Sequence, residues 1–252
     1  MQIFHKNSVN FAEKIVCMDL KWIFFDLDNT LFDFSSASLS SLRELWKEEN
    51  IINSSYSSPD AFISEYHIHN SRMWQLHENG EISSEFLKAE RFRLTLTPTR
   101  NDEETIFQMR KLNSRYLELL GMCNETCPGA QELLEYLKGK YLIGILTNGF
   151  TEVQYNKLRS TGINRYIQRM VISDEIGVQK PDSRIFNYAC NAVGATPKEI
   201  LMVGDNPNND IQGALNSGWN AVYYNRENTE SIFKSPLYLG HILDLRSLKN
   251  IL

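Results

Sequence analysis

Trp22-Ile23-Phe24-Phe25-Asp26-Leu27-Asp28-Asn29-Thr30-Leu31 drives an unbroken apolar run into two carboxylates and a polar turn. Four consecutive large apolar residues without polar alternation predict a strand covered on both faces, the pattern of a parallel sheet. Asp26 and Asp28 stand two residues apart, so they share a side-chain direction if extended geometry continues that far, while Leu27 points away. One carboxylate is then poised for chemistry and the other for proton handling. The same residues also read as an ordinary turn or helix start, because Asp and Asn side chains hydrogen-bond nearby backbone. Three distant segments bear on the choice.

The first is Tyr141-Leu142-Ile143-Gly144-Ile145-Leu146-Thr147-Asn148-Gly149, a second apolar run that ends in small polar groups. A helix pattern follows over Thr151 to Arg159, with Gly162 as its stop. Thr147 can donate its hydroxyl, and the Asn148 and Gly149 amides can face an anion near that helix's N-terminus. The second is Val178-Gln179-Lys180-Pro181-Asp182, where a lysine precedes proline at a restrained helix entrance that can aim an ammonium. The third is Ile200-Leu201-Met202-Val203-Gly204-Asp205, continuing to Asp210. Asp205 falls where a strand's carboxyl end presents an oxygen to a hard divalent cation, and Asp210 also reads as a helix N-terminal residue. Each segment taken alone is compatible with a turn or a solvated surface group.

In this order the four segments resemble the motifs of the haloacid dehalogenase superfamily, whose members are mostly magnesium-dependent phosphatases. Asp26-Leu27-Asp28-Asn29-Thr30 is similar to its nucleophile motif, Thr147-Asn148-Gly149 to its second, Lys180-Pro181 to its third and Gly204-Asp205 through Asp210 to its fourth. The resemblance implies that Asp26 attacks phosphorus to form an aspartyl phosphate and that Asp28 is the general acid and then base. It implies one Mg2+ held by Asp26, the Asp28 backbone carbonyl and Asp205. Thr147, Asn148, Gly149 and Lys180 would bind the phosphoryl group, with Asp210 supporting Lys180 or metal-bound water. Asn206-Pro207 departs from the Ser or Thr more common in the fourth motif.

Dehalogenation is the rival chemistry within that family, since a carboxylate can equally attack a carbon bearing a halide. It needs no acid two residues after the nucleophile, so Asp28 together with Asp205 favours phosphoryl transfer; a mutase remains open. A closer resemblance, carried by Phe24 to Phe34, Ile145 to Phe150, Ser173 to Pro181 and Met202 to Asp205, is to the helical-cap branch containing pyrimidine nucleoside 5′-monophosphatases. It implies a small phosphorylated metabolite as partner, a nucleoside 5′-monophosphate first and a sugar phosphate or phosphoglycolate as the alternative. A non-catalytic ligand-binding protein on the same fold would more naturally have lost Asp26, Lys180 or Asp205.

The expected fold is α/β: a doubly wound parallel sheet, Rossmann-like, with an inserted four-helix cap. Residues 18–34 and 123–252 form the core and 35–122 the cap, while 1–17 are an extension or an upstream start choice ahead of Met18. Periodicity places cap helices over Ser38 to Glu49, Ala61 to Glu78, Ser83 to Arg93 and Glu103 to Leu120. Further strands are expected near Tyr141–Leu146, Arg169–Ile172, Ile200–Val203 and Asn220–Tyr224, with a last helix near Leu243 to Leu252. In the cap, Trp46, Trp74, Phe86 and Phe92 are candidate pocket residues against a background of ordinary packing, and Arg72 and Arg91 are candidates for an acidic leaving group.

Composition sets the outer bounds. With 42% hydrophobic and 23% charged residues the 252-residue chain reads as soluble and globular. A formal charge of −5 gives no general attraction to nucleic acid or an anionic membrane. No apolar run approaches the ~20 residues that cross a bilayer. Cys17, Cys123, Cys127 and Cys190 show neither a disulfide framework nor zinc-site spacing, and the five histidines form no metal signature. The expected compartment is the cytoplasm and the default state a monomer.

Overall fold

The computed structural model describes residues 19–229 and 233–252, so the expectation for residues 1–17 lies outside the described residues. In chain order the strands are β1 (Trp22–Phe25), β2 (Leu142–Thr147), β3 (Arg169–Ile172), β4 (Ile200–Gly204), β5 (Asn220–Tyr224) and β6 (Tyr238–Ile242). The principal helices are α1 (Phe34–Glu48), α2 (Pro59–Glu78), α3 (Ser84–Leu96), α4 (Glu103–Met122), α5 (Ala130–Leu137), α6 (Thr151–Thr161) and α7 (Ser183–Val193). The chain divides into two compact units. One holds the described residues up to Leu31, Thr126–Asn148 and Ile163–Leu252; the other holds Phe32–Glu125 and Gly149–Gly162.

The first unit is an α/β fold around one six-stranded sheet of order β3-β2-β1-β4-β5-β6, with every neighbouring pair parallel. This order reverses direction between β1 and β4, the switch point of a doubly wound sheet, where ligands bind outside the carboxyl ends of the strands. In register, Phe25 of β1 pairs with Ile145 of β2 and Val203 of β4. Asp26, Thr147 and Asp205 therefore leave or end their strands on one rim. The continuous apolar run of β1 follows from burial on both faces: Ile23, Phe24 and Phe25 have no exposed surface.

Aromatic packing fixes one face of that sheet. Trp219 lies 5.3 Å from Phe24 and 5.2 Å from Phe186, the latter edge-on at 88°, and its indole donates to Cys190 Sγ at 3.1 Å. Gly144, paired with Phe24, is glycine for a steric reason, because a Cβ there would enter the Phe24 ring.

The strand expected at Asn220–Tyr224 is found there, and the one at Arg169–Ile172 likewise. Strand β6 is an addition to the expected set. Its pairing with β5 shifts register between Ala221 and Tyr223, and Gly240 takes a φ of 113°, so the segment lacks the regular alternation that marks a strand. The expected last helix is a 3-10 turn over Leu245–Asn250, entered through Asp244, whose side chain accepts from Arg246 N.

The second unit is helical. Polar caps start its long helices: Asp33 accepts from Ser36 N, Ser58 from Ala61 N, Ser83 from Phe86 N and Asp102 from Thr105 N. Pro59 at the first turn of α2 loses no helical hydrogen bond there. Helix α4 begins at its expected Glu103, α2 and α3 begin at Pro59 and Ser84 rather than Ala61 and Ser83, and α1 begins at Phe34 rather than Ser38 because Asp33 caps it ahead of the apolar period. Among the described residues no helix is long and apolar enough to cross a membrane.

Candidate active site

Asp26 continues directly from β1, its amide donating to Val203 O at 2.9 Å, and it is 7% exposed. Asp28 lies farther out, half-buried, and the chain turns at Asn29 with a φ of 61°. Asn tolerates this left-handed conformation because its short polar side chain bonds locally. The turn brings buried Thr30 back toward the strand ends, where its hydroxyl donates to Asp205 Oδ1 at 3.3 Å.

Lys180 crosses beneath these carboxylates. Its ammonium donates to Asp26 Oδ1 at 2.6 Å, to Asp210 Oδ1 at 2.6 Å and to Leu146 O at 2.7 Å. An ammonium has three N–H groups, so all are engaged. Its position is set by Asn148, whose Oδ1 accepts from Lys180 N and whose Nδ2 donates to Lys180 O, each at 2.9 Å, ahead of a cis Lys180–Pro181 bond. The Asn148 side chain is thus a clamp on the lysine backbone, a contribution beyond the amide expected of it.

Asp210 is 1% exposed, and its second oxygen accepts from Asn206 N at 2.9 Å. Asn206 in turn caps the π-turn Pro207–Gln212, its Oδ1 accepting from Asn208 N and Asn209 N. The Asn206-Pro207 departure in the motif therefore has a local structural use. Thr147 ends β2 and is 1% exposed. Gly149 begins the stretch of the second unit that leads to α6; a Cβ at this position would displace the amide end of the Gln154 side chain.

Carboxylate oxygens of Asp26, Asp205 and Asp210 all lie within 4.8 Å of one another. Burial raises the Asp26 carboxyl well above the usual carboxylate range; Lys180 opposes this, while Asp210, Asp205 and Asp28 add to it. Burial first, and Asp210 second, push Asp205 up to about 7. Burial works to lower the Lys180 ammonium, but Asp210 and then Asp26 outweigh it and hold it above its usual value. Three clustered carboxylates thus face one ammonium, an excess of buried negative charge that a hard, oxygen-seeking divalent cation fits. Each Asp210 oxygen already accepts one hydrogen bond, Oδ1 from Lys180 Nζ and Oδ2 from Asn206 N.

Sequence reasoning named Asp26, Asp28, Thr147, Asn148, Lys180, Asp205 and Asp210, and the strand ends gather these residues on the rim of the first unit. It gave no role to Thr30 or to the Leu146 carbonyl. Thr30 was legible as a buried hydroxyl within the motif, whereas a backbone carbonyl carries no sequence signal.

The model of the haloacid dehalogenase-like hydrolases matches residues 20–218, and the chain belongs to this family of hydrolases. It is 33% identical over 219 residues to the pyrimidine 5′-nucleotidase YjjG of Escherichia coli, covering 84% of this chain and 89% of that protein. It is 31% identical over 216 residues to the pyrimidine 5′-nucleotidase PynA of Streptococcus pneumoniae, covering 85% and 87%. The solved structure of the HAD-hydrolase YfnB of Bacillus subtilis bound to magnesium shares the fold, with a TM-score of 0.79 at 24% identity, covering 92% of this chain and 98% of that one.

Proposed function

We propose that the chain is a magnesium-dependent phosphomonoester hydrolase that acts on nucleoside 5′-monophosphates through an aspartyl phosphate. The observation that carries this reading is the buried Asp26 carboxylate held at 2.6 Å by Lys180 within a cluster of carboxylates at the switch point of the sheet. Asp26 and Asp205, with the Asp28 carbonyl, would hold Mg2+. When bound, the ion supplies the positive charge that lets an anionic carboxylate approach an anionic phosphate.

An Asp26 oxygen bonds to phosphorus as the phosphorus–oxygen ester bond breaks, and Asp28 gives its proton to the leaving oxygen. Asp28 then takes a proton from water, whose oxygen attacks the same phosphorus; phosphate leaves and Asp26 regains its carboxylate. Lys180, with all three protons committed, acts here by holding Asp26 in place and by its charge. Thr147 and the Asn148 and Gly149 amides serve the phosphoryl oxygens. The half-buried position of Asp28 suits a group that exchanges protons with water and leaving group, and the near-complete burial of Asp26 suits a nucleophile kept from bulk water.

The substrate class rests on the similarity to YjjG and PynA, and the helical unit is read as the cap that selects the leaving group. Phosphate release with Mg2+ from UMP, dUMP, dTMP, IMP, sugar phosphates and phosphoglycolate tests it. Preference for a pyrimidine nucleotide is expected, and preference for a sugar phosphate or phosphoglycolate overturns the substrate assignment.

A further inference from the structure

Of the three clustered carboxylates, two are held by strong donors. Asp26 accepts from the Lys180 ammonium at 2.6 Å, and Asp210 accepts from that ammonium at 2.6 Å and from Asn206 N at 2.9 Å. Asp205 has no such anchor. Among the described residues the one side chain that donates to it is Thr30, whose hydroxyl lies 3.3 Å from Asp205 Oδ1 and 175 residues away along the chain. The contact is long for a hydroxyl donor, so it orients the carboxylate more than it binds it. Asp205 needs such a guide, because like charges within 4.8 Å push a freely rotating carboxylate away from its neighbours.

The turn that carries Thr30 is firmly seated. Thr30 has no exposed surface, and Leu27 and Leu31 are also fully buried. Leu27 O accepts from Leu31 N at 3.0 Å and from Thr30 N at 3.4 Å, which closes the turn around Asp28 and Asn29. A β-branched side chain has few χ1 choices, and a buried hydroxyl needs a partner. Among the described residues Asp205 is the acceptor that the Thr30 hydroxyl has. The same turn carries the Asp28 carbonyl, so the Thr30–Asp205 contact ties together the two chain segments that would supply the metal's ligands.

We infer that Thr30 is a positioning residue for the metal site: by holding Asp205 Oδ1, its hydroxyl sets the affinity of Asp26 and Asp205 for Mg2+. The inference rests on the Mg2+ reading above. A group that hydrogen-bonds a metal-ligating carboxylate fixes its orientation, and losing such a group weakens metal binding by about 10- to 100-fold. A hydroxyl that served only the turn would leave metal affinity unchanged when removed.

The test takes the Mg2+ dissociation constant from the rise of the thermal midpoint with Mg2+, without substrate and at constant ionic strength, in wild type, Thr30→Val, Thr30→Ala and Thr30→Ser. Measured at about pH 8.5, the comparison is free of the proton that Asp205 keeps up to about 7. Valine keeps the shape of threonine without the hydroxyl, and serine keeps the hydroxyl without the methyl group. T30V and T30A are expected to bind Mg2+ about 10-fold more weakly than wild type, and T30S within about 3-fold of it. A wild type whose midpoint does not respond to Mg2+ overturns the metal reading and this assignment together. With a responsive wild type, T30V and T30A that match its dissociation constant, or T30S weakened as much as they are, overturn this assignment alone. So does a failure of both T30V and T30A to fold while T30S folds, since the hydroxyl would then serve the fold.

Discussion

Lys180 Nζ and Asp210 Oδ1 are 2.6 Å apart, with 2% and 1% of their side chains exposed, and Gly204 is the residue that leaves room for the pair. A Cβ at Gly204 would occupy the space of the Asp210 carboxylate. The glycine before Asp205 is thus required by a contact six residues along the chain. Asp210→Asn leaves Lys180 with Asp26 as its remaining carboxylate and weakens a charge-assisted hydrogen bond worth about 1.5–3 kcal/mol. Asp210→Asn and Gly204→Ala are both expected to lower the thermal midpoint, and phosphatase turnover should fall at least about 10-fold in each. Normal midpoints in both variants would show that the pair does not organise the rim.

Asp26→Asn should abolish p-nitrophenyl phosphate hydrolysis while keeping a cooperative thermal transition. Asp28→Asn should keep the fold and lose about 100- to 10,000-fold in turnover, the range of general acid–base catalysis. The proton role predicts that the Asp28→Asn loss is smaller for p-nitrophenyl phosphate, a good leaving group, than for an alkyl phosphate. Equal losses on the two esters would remove Asp28 from the proton path.

Asp205 links stability to pH and to the metal. An unfolded aspartate releases its proton at about pH 4, whereas Asp205 in the folded chain retains it up to about 7. Between these values the native state binds one more proton than the unfolded state, so this group's contribution makes stability fall as pH rises. In EDTA, Asp205→Asn is expected to melt above wild type at pH 7.5, with the gap closing toward pH 4.5. Excess Mg2+ should raise the wild-type midpoint at pH 7.5 and leave the variant nearly unchanged. Coincident profiles in EDTA would reject the shift.

Gly144 answers to packing alone. Gly144→Ala puts a methyl group into the Phe24 ring at the centre of the β1–β2 pair, an overpacking that costs about 1–3 kcal/mol. The double change Gly144→Ala with Phe24→Leu should recover part of the loss, measured by denaturant midpoint. Independent, additive losses would place the strain elsewhere.

Much of the fold was legible because local rules and tertiary needs agree. The apolar runs at Trp22–Phe25 and Ile200–Gly204 are buried strands, and Ser58 and Ser83 begin helices through hydrogen bonds that depend only on near neighbours. β6 was hidden because an edge strand with irregular register needs no alternation. The residue types at the rim were legible too, since Asp, Thr and Lys at strand ends carry their chemistry with them. Their partners were not: Lys180 reaches Asp26 across 154 residues of chain and Asp210 across 30.

The sequence by itself determined the parallel sheet, the family and the identity of the acidic and basic groups, because apolar patterning and motif residues act locally. Tertiary structure decided what those groups do to one another. Burial beside Lys180 sets the charge of Asp26 and Asp205, Asn148 becomes a clamp on a distant backbone, and Arg91 becomes a buried cation among amides and aromatic rings. Solvent exclusion and through-space charge depend on what the fold brings near, and spacing along the chain does not encode them.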